Sequence, residues 1–133
     1  MRTNFSLTRD GESFRARLTW VQADAMVGAL VLLADQYFSD AAVIVHLGMG
    51  RDEVGVLVDK LAGDHKTTRD YVLDLRELHA VHAALTAAAT QFLNSSTYFS
   101  AEHFHVKLSF HRENFDALAL SLVQAVSDVT APE

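Results

Sequence analysis

The chain has no cysteine. Disulfides, thiolate metal sites and cysteine nucleophiles are therefore excluded together, and the absence suits a reducing cytosol. Proline is nearly missing as well. Pro132 is the only one, so no proline-rich linker divides the chain. Long apolar runs are also lacking. The longest, "AMVGALVLLA", falls well short of the roughly 20 residues a helix needs to span a bilayer. The opening "MRTNFSLTRDGESF" carries no apolar h-region, so no signal peptide is expected and the chain reads as cytoplasmic. Positive charge is the scarcer sign: 11 Lys and Arg stand against 17 Asp and Glu, a net charge of −6. That balance disfavours general attraction to nucleic acid or anionic membrane, and suits solubility or a basic partner.

What is present is globular. Half of the 133 residues are hydrophobic and 21% are charged, which fits one domain over residues 1–133 with a frayed tail at 129–133. "NFSLTRDGESFRARL" reads as a hairpin turning on Asp10-Gly11, with Arg9 opposite Glu12 and Leu7 opposite Phe14. Its alternation puts Phe5, Leu7, Phe14, Ala16 and Leu18 on a buried face, and Asn4, Ser6, Arg15 and Arg17 on a wet one. "AAVIVHLG", "EVGVLVDKL" and "DYVL" read as further strands on their β-branched content. "HFHVKLSFH" alternates again and reads as the last strand.

Three helices complete the pattern. "LTWVQADAMVGAL", "LDLRELHAVHAAL" and "ENFDALALSLVQA" each place a capping residue second: Thr19, Asp74 and Asn114. Gln22 and Glu77 complete capping boxes in the first two. An apolar residue, Trp20, Leu75 or Phe115, follows each cap. The expected architecture is an α+β two-layer sandwich. It has about six strands in an antiparallel-rich sheet and three helices mainly on one face, in the order β-β-α-β-β-β-α-β-α.

The core stripe of the second helix runs Leu75, Leu78, His82, Leu85, Ala89, Phe92, with a histidine in its middle. Val27 and Leu122 occupy the equivalent positions in the sister helices. His82 is either a hydrogen-bonded core residue or a titratable group lining a pocket or interface, with a depressed pKa. His79, one turn earlier, reads as a flanking surface residue. The first and third helices carry more apolar positions than one core face uses. Leu32, Leu120 and Val123 are thus candidates for an association surface, unless the helices cover one another.

The chemical signals are thin. His103 and His105 share a strand face at a spacing that can supply two metal ligands. His111 lies six residues on, about 20 Å along a strand, whereas zinc ligands stand about 2 Å from the metal. No third ligand is marked, so no metal and no cofactor is expected. "GMGR" lacks the length and lysine of a phosphate loop, and no nucleophile or zinc-protease motif occurs. If the hairpin and last strand are neighbours, Arg15, Arg17, His103, His105 and Lys107 form a mildly basic sheet face. The rings that could stack on bases fall on the buried parity, so an acidic partner or small anion fits that face better than RNA. The reading that remains is a protein-binding module without catalysis, of inhibitor, immunity or adaptor type, acting through self-association or a protein partner. The alternative is a small-ligand-binding protein or enzyme with His82 lining a pocket.

Overall fold

The computed structural model describes Asn4 and residues 6–36, 39–63, 67–94 and 112–131. Three strands, β1 (Ser6–Asp10), β2 (Ser13–Leu18) and β3 (Arg69–Leu73), form an antiparallel sheet with β2 in the middle. Among the described residues five helices accompany them: α1 (Trp20–Gln36), α2 (Asp40–Leu47), α3 (Arg51–Leu61), α4 (Leu75–Asn94) and α5 (Arg112–Thr130). The chain is α+β, but the six-stranded sheet with three helices is overturned. "HFHVKLSFH" lies outside the described residues, and with it His103, His105 and Lys107.

Two expected strands are helices, and the reason is local. Ser39 caps α2, its Oγ accepting from the Ala42 amide at 3.2 Å, and Asp40 stands in the positive first turn. Gly48 ends the helix with φ of 80°, its amide donating to the Ile44 carbonyl. That left-handed cap needs glycine. In α3 the buried residues Val54, Leu57 and Leu61 recur at helical spacing, with Asp52 and Glu53 in the first turn and Lys60 in the last. Caps, charges and a 3.6-residue period together outweigh the small helix penalty of valine and isoleucine, a few tenths of a kcal/mol per residue.

The hairpin keeps its faces and changes its register. Arg9 pairs with Phe14, Leu7 with Ala16 and Asp10 with Ser13, so Gly11 and Glu12 form the turn in place of Asp10-Gly11. Gly11, with φ of 65°, takes the position that demands positive φ. Moving the turn by one residue moves the pairing by two, which preserves which side chains share a face. Leu7, Phe14, Ala16 and Leu18 are buried as expected.

Both capping boxes form. The Thr19 amide donates to Gln22 Oε1 at 2.9 Å while Thr19 Oγ1 accepts from the Gln22 amide at 3.1 Å. The Asp74 amide donates to Glu77 Oε1 at 3.0 Å, and Asp74 Oδ1 accepts from the Glu77 amide at 2.7 Å. The third cap does not fall at Asn114, because α5 already begins at Arg112. The same helix continues through Val129 and Thr130, two residues into the stretch read as a frayed tail.

Helix α4 is the spine of the molecule, packing against α1, α2 and α5. Leu78, Ala80, Val81, Ala84, Leu85, Ala88 and Ala89 are all buried along it. Its alanines allow close approach by neighbours on more than one side, so its buried surface is wider than the single stripe the sequence suggested. Helix α1 is covered similarly and buries nine residues, Leu32 among them. Most of the surplus apolar positions of α1 are therefore used inside the protein, Trp20 and Val31 remaining exposed. On the sheet, one face meets the helices and the other is wet.

Candidate functional site

The residues singled out by sequence part into two places. Arg15 and Arg17 lie on the wet sheet face. Arg15 pairs with Asp10 at 3.4 Å, and Arg17 stands directly opposite Asp70 of β3. Each cation thus has an acid nearby, which weakens the basic patch at that end. His79, His82, Leu120 and Val123 belong instead to the region where α4 and α5 run side by side.

That region holds an apolar groove of about 220 Å³, lined by Leu75, Leu78, His79 and His82 from α4 and by Leu122, Val123 and Val126 from α5. The lining joins the first half of α4 to the second half of α5, so the helices are antiparallel. Leu78 and Leu122, both nearly fully buried, form its floor. Its rim is exposed: Leu75 keeps 58% of its surface accessible and Val123 46%; Leu120, also 58% exposed, lies one turn before Val123 on the outer side of α5 and does not line the groove. Leu75 had been assigned to the core stripe. It sits in the first turn of α4 and becomes a wall of the groove. Leu32, named with Leu120 and Val123 as a surface candidate, is 8% exposed and belongs to the core.

His82 separates this groove from a second hollow of about 430 Å³, lined by His46 of α2 and by His82, Ala83, Thr86, Ala87 and Thr90 of α4. His82 is only partly buried, yet its pKa lies below the usual imidazole value. The larger cause is desolvation, and the nearby His79 pushes the same way. His79 itself covers the end of α2: a Cβ added at Gly48 would lie 3.0 Å from its Cδ2. One turn before it, Arg76 donates through Nε to the Gly48 carbonyl at 3.2 Å and is paired with Glu53. His46 lies on a helix where a strand was expected, and that helix brings it to the same hollow as His82. The Ser39 cap is the sequence signal for that helix.

Among the described residues no three His, Asp or Glu side chains gather where they could hold a metal ion. No helix there is long and apolar enough to cross a membrane. Comparison of the chain with protein-family models, curated proteins and solved structures finds no match.

Proposed function

We propose that the protein is a small cytosolic binding module whose α4–α5 groove receives the apolar face of a basic, amphipathic helix from another protein. The observation that carries this reading is the exposed apolar rim, Leu75 and Val123, around an apolar floor, with the exposed Leu120 one turn from Val123 on the same side of α5. Large exposed aliphatic side chains gathered at one groove are the usual mark of an interaction surface. The groove is open along its length, which suits a helix laid into it better than an enclosed small ligand.

Charge favours a basic partner over a second copy. Each copy carries a net charge of −6. On α5 the exposed stripe through Leu120 and Val123 carries the exposed Asp116. Two such acidic copies repel one another, whereas a basic helix is attracted.

The test uses a designed peptide with leucines at helical spacing and lysines elsewhere, and a control with glutamates in place of the lysines. Amide NMR shifts of the full chain should move saturably along α4 and α5 with the lysine peptide. The Val123→Glu variant should move far less. Equal response to the glutamate peptide, or no response to either, would overturn the reading. A dimer in native mass spectrometry that Leu120→Glu dissolves would hand the groove to a second copy instead.

A further inference from the structure

We infer that His79 and His82 form a proton-controlled wall of the α4–α5 groove, apolar when neutral and repelling a cationic helix when protonated. The inference rests on the docking reading above and adds its regulation. The two rings lie three residues apart on α4 and line the same groove, and His82 also lines the second hollow. The groups facing His82 can be named by element. From its own helix comes His79, from α2 His46, and from α5 Leu122, Val123 and Val126. Among the described residues, α1 contributes to neither hollow and neither lining contains a carboxylate. The nearest cation along α4, Arg76, is already joined to Glu53.

Protons added here therefore accumulate positive charge with no lining acid to offset it. Neutral imidazoles can lie against leucine and valine as part of an apolar surface. Imidazolium must be solvated, which draws water into the seam between α4 and its neighbours. The sign follows from linkage. Because burial disfavours the charged form, the folded state binds its proton at His82 at lower pH than the unfolded chain does. Stability is then complete above about pH 6.5, the unfolded value, and declines as pH falls from there toward the folded value. Affinity for a basic helix falls over the same range as charge builds up.

Three measurements on the full chain decide the matter. Imidazole NMR across pH 4.5 to 8.5 should show His82 titrating below the ordinary imidazole value of about 6.5. Urea unfolding midpoints should drop between pH 7.5 and 5.5, and drop less in the His79→Gln/His82→Gln double variant. His82→Leu serves as a second background should the double variant fold poorly. Affinity for the leucine–lysine peptide should weaken about fivefold over the same pH interval, the effect of roughly 1 kcal/mol of charge repulsion. His82 titrating at or above about 6.5, or an unchanged pH response in the variants, overturns the inference. Absence of peptide binding at pH 7.5 strikes the docking reading alone, since the first two measurements do not use the peptide.

Discussion

The Lys60 ammonium donates to both carboxylate oxygens of Glu77, at 3.1 and 3.0 Å, and so ties the last turn of α3 to the first turn of α4. The same Glu77 Oε1 closes the capping box with the Asp74 amide. One side chain thus caps the start of α4 and joins it to the end of α3. Glu77→Ala should cost about 1–2 kcal/mol in urea unfolding, because it removes the box and the ion pair together. Glu77→Gln retains an acceptor for the Asp74 amide and should cost under about 1 kcal/mol, the range of a partly exposed ion pair. Equal losses for the two variants would show that the charge, and not the cap, carries the contribution.

A second joint lies between α2 and α3. Asp40 Oδ1 accepts from the Arg51 amide at 2.7 Å, so the first residue of one helix satisfies the first turn of the next. Gly50 leaves the room for it: a Cβ there would stand 2.9 Å from Asp40 Oδ2. The backbone at Gly50 is ordinary extended geometry, so the requirement is space alone. Gly50→Ala should destabilise by about 1–2 kcal/mol, and so should Asp40→Ala. Combining them should cost less than the sum, since removing the carboxylate also removes the clash. Strict additivity would reject this account of the joint.

These joints show what could be read from the sequence and what could not. Thr19-Gln22 and Asp74-Glu77 were legible because a capping box is a fixed local spacing, and both form as read. The hairpin faces were legible for the same reason, since period-2 alternation survives a shift of the turn. The α2–α3 pair was misread because Val43, Ile44 and Val45 suggested a strand more strongly than Ser39 and Gly48 suggested helix ends. The contact between Asp40 and Arg51 depends on how two helices meet, which no spacing encodes. At the candidate site, His82 was visible as a histidine on an apolar stripe. That Leu75 on the same stripe would be exposed depended on where α5 crosses α4.

Gln22 offers a prediction whose outcome changes with pH. Its side chain is 1% exposed, and beyond the capping box its Nε2 donates to the Asn4 carbonyl at 2.9 Å, tying the segment before β1 to α1. Gln22→Ala should lose about 2–3 kcal/mol, since the Thr19 amide and the Asn4 carbonyl both lose a partner. Gln22→Glu should be more damaging at pH 7, because a buried carboxylate meets a carbonyl in place of the donated bond. Burial raises such a carboxyl above its unfolded value of about 4.3. The penalty is then largest above the raised folded value and shrinks as pH falls toward about 4.3. A Gln22→Glu chain whose deficit relative to wild type stays constant from pH 7 to pH 5 would contradict this placement of the side chain.

Leu32 and Leu120 looked alike in sequence, each an apolar residue beyond its helix's expected core face, and the fold separates them. Leu32 is 8% exposed and Leu120 is 58% exposed. Leu32→Ala should therefore cost about 2–4 kcal/mol, as removal of buried methyl groups does. Leu120→Ala should stay within about 0.5 kcal/mol of wild type, as surface changes do. Leu120→Glu should be equally tolerated by the isolated chain while weakening capture of a basic apolar helix, because it puts a charge beside the apolar rim. The floor behaves differently. Leu122, at 3% exposure, should lose stability when cut to alanine whether or not a partner is present. A Leu120→Glu chain that unfolds as readily as Leu122→Ala would show that this stripe of α5 is covered within the molecule and is not free to receive a partner.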